Sequence, residues 1–182
     1  MQIRRYRFNR ASGKIYRESL QNLIEVSDHL DTIILYATPS VYGQPFQAMP
    51  AQDWISLCFL DNEFNWSFAL LNSGQSDALR PFLNYQTQHQ NLSSQITRIN
   101  LVPQSSRSGR HWYAYAFEAL PLPPEINPTE IRQNHPELPL IDPTINLDFS
   151  EPELEQFVQH AAFNSQIKIK LTDARTVFLS WD

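Results

Sequence analysis

Short stretches in which apolar and polar residues alternate predict several half-buried β-strands in this chain. In the first, 2–17, basic and apolar residues alternate around 9–13, which indicates two short strands joined by a loop. Two apolar runs rich in aromatic residues, 54–60 and 64–71, flank the polar residues 61–63 and predict a hairpin. Strands are therefore expected to occur mainly as hairpins.

Further strands are predicted along the rest of the chain. The apolar run 33–36 predicts a buried strand. The stretches 95–102 and 110–120 predict two strands around a polar loop, and because both faces of the second are apolar or aromatic, we expect it inside a sheet. The stretches 167–171 and 176–181 predict a closing hairpin.

Helical spacing of apolar residues predicts up to three helices. Ser19 caps the first, which runs to about His29, and the second runs from Ser76 or Asp77 to about Gln88. The third follows Ser150, which has capping-box spacing with Glu153. We therefore predict an α+β fold: an antiparallel or mixed β-sheet built from hairpins, with two or three helices.

Proline and carboxylate residues are concentrated in one segment. Eight of the 13 prolines lie at 121–152, too many for a long helix or a central strand, and 118–155 carries nine carboxylates against Arg132 alone. We expect an extended acidic excursion at about 121–152 that packs along the domain or onto a partner. A length of 182 residues otherwise suits a single domain, 1–182.

Basic residues are concentrated in two other segments, although the formal net charge is -5. The first seventeen residues carry six basic side chains and no acidic one, and 78–117 carries four arginines without Asp or Glu. Arginine interleaved with aromatic residues favours a polyanion partner, because guanidinium pairs with phosphate and aromatic rings stack on bases. The predicted RNA-binding residues are Arg4, Arg5, Arg7, Arg10, Arg107, Arg110, Trp112 and Tyr113.

Both basic segments leave alternatives open. The N-terminal arginines bind RNA or an acidic protein, or they form the solvated face of an edge strand or pair with the acid-rich segment of the same chain. For 105–113 the alternatives are phosphate contact, a solvated loop without a role, and metal-independent RNA cleavage by His111. Cleavage would need a second proton-transfer group, for which the sequence offers no obvious candidate.

Signatures of catalysis and of cofactor binding are missing from the sequence. The four glycines are isolated from one another, so the sequence contains no glycine-rich loop of the kind that binds phosphate. The five histidines lack metal-binding spacing, and the single cysteine, Cys58, excludes a zinc ribbon and has no basic neighbour in sequence. We predict a protein that is not an enzyme, with no catalytic residue, metal or cofactor.

Cysteine usage and hydropathy suggest a compartment. One cysteine agrees with a reducing environment, no apolar run approaches the roughly eighteen to twenty residues of a membrane span, and the N-terminus lacks the apolar core of a secretory signal. We therefore expect a cytoplasmic protein without membrane contact.

Two stretches, 31–42 and 59–66, resemble the small accessory subunits of type III-D CRISPR effector complexes. The shared elements are a buried strand that ends in small polar residues and a hairpin with an Asp-Asn-Glu turn and an aromatic return strand. The resemblance implies a noncatalytic component of an RNA-guided antiviral ribonucleoprotein complex, with larger protein subunits as partners and guide RNA as a candidate partner. A protein-only adaptor that docks through its acidic proline-rich segment and a metal-independent ribonuclease are the alternatives.

Overall fold

The computed structural model describes residues 4–18, 23–74, 77–134, 138–140, 168–173 and 176–180. Most of these residues lie in β-strands. The strands are β1 (Arg4–Asn9), β2 (Lys14–Glu18), β3 (Leu23–Ser27), β4 (His29–Ala37), β5 (Val41–Gly43), β6 (Gln52–Leu60), β7 (Trp66–Asn72), β8 (Ile96–Ser105), β9 (His111–Leu120), β10 (Leu138–Leu140), β11 (Lys168–Asp173) and β12 (Thr176–Ser180). The α-helices in the same ranges are α1 (Arg80–Gln88) and α2 (Pro128–Asn134).

Nine strands form one mixed sheet. Its order is β3-β2-β1-β7-β6-β4-β8-β9, and β5 pairs with the start of β6. Strands β1 and β7 are parallel, whereas the other neighbours in this sheet are antiparallel. A second sheet has the order β10-β12-β11.

The predicted α+β class is wrong, because the described chain is mostly β, with α-helices of only nine and seven residues. The first predicted helix is the main error. Its described part contains strand β3, in which Leu23–Ser27 pairs with β2 instead of packing an apolar stripe. The β-branched residues Ile24 and Val26 suit a strand, and pairing with β2 decides between the two conformations. The predicted helix after Ser150 lies outside the described residues.

The two predicted hairpins are confirmed, and the two other predicted pairs of strands separated by a loop also form hairpins. Strands β1 and β2, β6 and β7, β8 and β9, and β11 and β12 each pair antiparallel with their neighbour in sequence. The prediction that 110–120 lies inside a sheet is wrong, because β9 ends the described sheet. One face of β9 is apolar because Tyr115 and Phe117 pack with Phe82 of α1 in the main core.

The sheet curls strongly, as its connections require. Strands β3 and β4 stand five strand spacings apart in the sheet order, about 24 Å if the sheet were flat. Only Asp28 separates them in sequence, so the Cα atoms of Ser27 and His29 lie within about 7.6 Å of each other. The β3 end of the sheet must therefore fold back toward β4 and β8.

Among the described residues, hydrophobic cores lie on both sides of the central strands. The main core lies inside the curl and includes Tyr6, Ile15, Phe59 and Phe82. The second contains Ile33, Leu35, Cys58, Leu60 and Trp66 and is covered by Leu122, Ile126 and Ile131. The described beginning of the proline-rich segment therefore packs along the protein's own sheet, and it includes the short helix α2.

Candidate nucleic-acid interface

The guanidinium of Arg4, at the start of β1, is held by two carboxylates of the β6–β7 turn. Its Nη1 atom donates to Asp61 Oδ2 at 3.0 Å, and its Nη2 atom donates to Glu63 Oε2 at 2.7 Å. Parallel pairing of β1 with β7 creates this contact, because it aligns Arg4 with Ser67. The hydrogen bond to Glu63 and the charge of Asp61 raise the pKa of Arg4 above its ordinary value.

Asp61 lies at the centre of a buried network, and its side chain has no exposed surface. Its two oxygens accept hydrogen bonds from Arg4 Nη1, Tyr6 OH, Ser67 Oγ and the backbone N–H groups of Glu63 and Asn65. Burial raises the pKa of a carboxyl group, but these donors outweigh burial and hold the pKa of Asp61 below its ordinary value. Burial, reinforced by Asp61, raises the pKa of Tyr6 to about 12.

Arg5 and Arg7 share the carboxylate of Glu18 on β2. Arg5 Nη1 lies 2.9 Å from Glu18 Oε2, and Arg7 Nε donates to Glu18 Oε1. Each guanidinium also lies over an aromatic ring: Arg5 is 5.1 Å from the ring centroid of Phe68, and Arg7 is 5.7 Å from that of Phe46. These contacts engage both side chains within the fold, although Arg7 keeps 46% of its surface exposed.

Arg10 follows β1 and links it to β9. Its carbonyl accepts a hydrogen bond from Tyr113 N at 2.8 Å, and its Nε atom donates to Tyr113 O at 3.0 Å. The guanidinium lies 5.3 Å from the ring centroid of Tyr115, and Nη1 reaches the Asn72 carbonyl at 3.4 Å. Arg10 therefore holds the β1–β2 turn against β9.

The N-terminal arginines thus have partners within the protein. Of the alternatives for this segment, internal pairing fits Arg4, Arg5 and Arg7, although their carboxylates are Glu18, Asp61 and Glu63 rather than those of the acid-rich segment after residue 118. Strand β1 is not an edge strand either, because it lies between β2 and β7. RNA binding by these arginines stays a prediction.

Arg107 and Arg110 lie at the tip of the β8–β9 hairpin. The tip is closed by Ser106 N donating to the Arg110 carbonyl at 2.9 Å and by Gly109 N donating to the Ser106 carbonyl at 3.0 Å. Inward side chains of β8 are buried as far as Leu101, whereas 103–105 and 107–111 are exposed. The hairpin therefore extends beyond the core and presents both arginines at its end.

Trp112 and Tyr113 point to opposite faces of β9. Tyr113 packs against the main core, and its ring also lies over Gly13. Trp112 is half-buried on the other face, where it is aligned with Gln104 of β8, and its ring packs in neither core. The two aromatic residues therefore differ in availability, and Trp112 is the better placed to stack on a base.

Five of the eight predicted site residues meet at one end of the sheet. Arg10 contacts Tyr113, and Arg110, at the end of the tip that also carries Arg107, lies two residues before Trp112. Arg4 lies at the opposite end of β1, about 20 Å away along the strand. The structure therefore divides the predicted site between the hairpin tip and an internal network of ion pairs.

Sequence reasoning missed the residues that pair with arginine across the sheet. Arg98 binds Asp31 through two hydrogen bonds, Nε to Oδ1 at 2.7 Å and Nη2 to Oδ2 at 2.8 Å. The pairing of β4 with β8 aligns these two residues, and the pairing of β1 with β7 brings Arg4 to Asp61. Such pairings between strands distant in sequence leave no local signal in one sequence.

Comparison with known proteins gives no independent identification. No protein-family model, curated protein or solved structure matches this chain. In the described ranges, no three His, Cys, Asp or Glu side chains converge as metal ligands, and no helix is long and apolar enough to cross a membrane.

Proposed function

We propose that this protein is a noncatalytic subunit of a ribonucleoprotein assembly and contacts RNA through the tip of its β8–β9 hairpin. The observation that carries the proposal is the exposed position of Arg107 and Arg110 on a hairpin that extends beyond the core. Guanidinium groups in such a position are accessible from solvent and can pair with phosphates. Trp112, on the outer face at the base of the tip, supplies a ring for stacking.

The charge around the tip supports a polyanion as its ligand. No Asp or Glu occurs between residues 78 and 117, so no carboxylate of these two strands before Glu118 weakens the field at the tip. Arg107 makes no ion pair with any described residue, whereas Arg4, Arg5 and Arg7 each have a carboxylate within the fold. The tip is therefore a more available basic surface than the N-terminal arginines.

Because 31–42 and 59–66 resemble type III-D CRISPR accessory subunits, we propose that the assembly is a complex of this type. In such a cytoplasmic complex the protein would contact larger subunits and guide RNA. For the competing ribonuclease hypothesis, His111 is exposed but makes no hydrogen bond or ion pair with a described side chain that could serve as the second proton-transfer group. The adaptor hypothesis requires the proline-rich segment to dock on a partner. The described part of this segment instead packs Leu122, Ile126 and Ile131 against the protein's own second core.

RNA binding is tested by titrating a fluorescently labelled single-stranded RNA with the purified protein at several salt concentrations. We expect Arg107→Ala and Arg110→Ala each to weaken binding about five- to tenfold. We also expect each to flatten the dependence of log K on log salt by about one unit, because each variant loses one phosphate contact. Trp112→Ala should weaken binding with little change in that slope.

Arg80→Ala is the matched control. Arg80 begins α1, and its side chain is 71% exposed and lies 3.6 Å from Asp77, so it is an accessible arginine away from the tip. Its replacement should leave RNA affinity unchanged. Absence of binding by the wild-type protein, or binding that is indifferent to both tip variants, would reject the proposed RNA contact.

A further inference from the structure

A single residue, Asp28, connects the first three strands to the strands that follow them. Strand β3 ends at Ser27 and β4 begins at His29, yet β3 pairs with β2 and not with β4 in the described sheet. The chain therefore turns away at Asp28 instead of continuing as one strand. We call β1, β2 and β3 together the N-terminal meander.

The N-terminal meander is attached to the rest of the protein through strands other than β4. Strand β1 pairs in parallel with β7, and Arg4 binds Asp61 at the β6–β7 turn. Tyr6 and Ile15 of the meander are buried in the main core. None of these contacts requires the meander and the sheet to belong to the same molecule, so a second copy of the chain can supply an identical meander with identical contacts.

Strand β3, directly before Asp28, leaves apolar side chains exposed to water. Leu23, Ile24 and Val26 are 51%, 43% and 39% exposed. The strand also ends the described sheet, and its charged residue, Glu25, is paired with Lys14 at 2.6 Å. An edge strand with exposed apolar residues is a template for pairing with another chain, which native proteins usually prevent with charges. The surface beside Asp28 therefore suits an interface.

We propose that the N-terminal meander exchanges between two copies of this chain, which form a domain-swapped dimer with Asp28 as the hinge. When the hinge straightens, β3 and β4 become one continuous strand, and each meander occupies in its partner the place that it has in the monomer. The straightened segments lie side by side, which covers part of Leu23, Ile24 and Val26. The inference goes beyond the proposed RNA contact and does not depend on it.

A second copy is the favoured partner because it keeps every contact of the meander. The monomer and the swapped dimer differ only at the hinge and in the new contacts beside it, so exchange is a low-cost route to a dimer. A hinge of one residue favours exchange, since turning the chain within so short a connection costs more than leaving it extended. Association costs translational freedom, so the dimer is favoured at high protein concentration.

The first test changes the length of the hinge. The purified protein is refolded at high concentration, and the masses of the products are measured by light scattering after size exclusion. We expect the wild-type protein to yield monomer and dimer and the deletion of Asp28 to increase the dimer. Insertion of Gly-Ser-Gly after Asp28 should lower the dimer fraction about tenfold, because a longer hinge closes easily within one molecule.

The same insertion after Ser108, in the β8–β9 tip, is the matched control, because that loop does not join the meander to the sheet. It should leave the dimer fraction unchanged. If the wild-type protein and the deletion variant are both wholly monomeric, or if the hinge insertion leaves the dimer fraction as it was, the proposal is overturned.

The second test distinguishes exchange from simple pairing of two β3 edges. Arg5 and Phe68 lie opposite each other in the β1–β7 pairing, so cysteines at these two positions can form a disulfide. A variant with Arg5→Cys and another with Phe68→Cys are unfolded, mixed, refolded and then oxidised. We expect a covalent heterodimer, because exchange places position 5 of one copy on position 68 of the other. Cys58 is buried in the folded protein and stays reduced.

Val102→Cys and Ala114→Cys are the control pair for this test. These residues lie opposite each other within the β8–β9 hairpin, which is not exchanged, so their mixture should give no covalent heterodimer. Equal crosslinking in the two mixtures would overturn the proposal. A dimer without the disulfide between positions 5 and 68 would also overturn it, because the copies would then associate without exchanging their meanders.

Discussion

The ring of Tyr113 lies directly over Gly13, so close that a Cβ atom on Gly13 would stand 2.3 Å from Tyr113 Cε1. Gly13 ends the β1–β2 turn with φ +72°, and Tyr113 belongs to β9 at the far end of the sheet order. The contact lies beside the hydrogen bonds between Arg10 and Tyr113. Together they close one end of the curled sheet.

Gly13→Ala should destabilise the protein by about 2–4 kcal/mol, because it combines a left-handed alanine with displacement of the Tyr113 ring. Gly109→Ala is the matched control: it has φ +80° but nothing within 4 Å of the added Cβ atom, so only the backbone cost of about 1 kcal/mol applies. Urea unfolding measures both. Equal losses in the two variants would contradict the close packing of Tyr113 on Gly13.

Asp61→Asn should lower the free energy of unfolding by about 2–4 kcal/mol, since it leaves the half-buried Arg4 with a weaker partner and replaces an acceptor oxygen with a donor. Asp53→Asn, an exposed position on the adjacent β6, should change it by less than about 0.5 kcal/mol. Chemical denaturation of both variants checks the prediction. Tolerance of Asp61→Asn would show that the carboxylate charge is dispensable.

Acid should destabilise the wild-type protein more than the Asp61→Asn variant. The folded-state pKa of Asp61 is below its unfolded value, so its contribution is complete above about pH 4 and is lost as the pH falls through the folded pKa. The difference in unfolding free energy between the two proteins should therefore shrink on acidification below about pH 4. A constant difference down to pH 2 would contradict this assignment.

Arg10→Lys should cost about 1–2 kcal/mol of stability, because an ammonium group cannot reproduce the bond from Nε to the Tyr113 carbonyl together with the contact over Tyr115. Arg107→Lys, at the exposed tip, should leave stability unchanged. Thermal unfolding of both variants makes the comparison. If Arg10→Lys leaves stability unchanged, the fold does not depend on the Arg10 guanidinium, which would then be available to bind RNA.

Local features of this fold were predictable from the sequence, and distant pairings were not. The hairpin of β6 and β7 follows from two aromatic runs around a polar turn, so both its strands and its turn were located correctly. The helix predicted through Leu23 and Ile24 was wrong. Apolar spacing over about ten residues fits the period of a helix or that of a strand, and pairing with β2 selects the strand.

The candidate site shows the same limit. Exposure of Arg107 and Arg110 follows from a polar loop between two predicted strands, which one sequence reveals. The partners of Arg4 and Arg98 depend on which strands lie side by side, and composition carries no information about that order.

The parallel pairing of β1 with β7 constrains how the protein emerges from the ribosome. Arg4 is translated before its partner Asp61 and its neighbour Ser67. Until then strand β1 of the β1–β2 hairpin lacks its second neighbour, and the Arg4 guanidinium lacks the Asp61 carboxylate. Strand β1 can therefore join the sheet only after the β6–β7 hairpin has been synthesised.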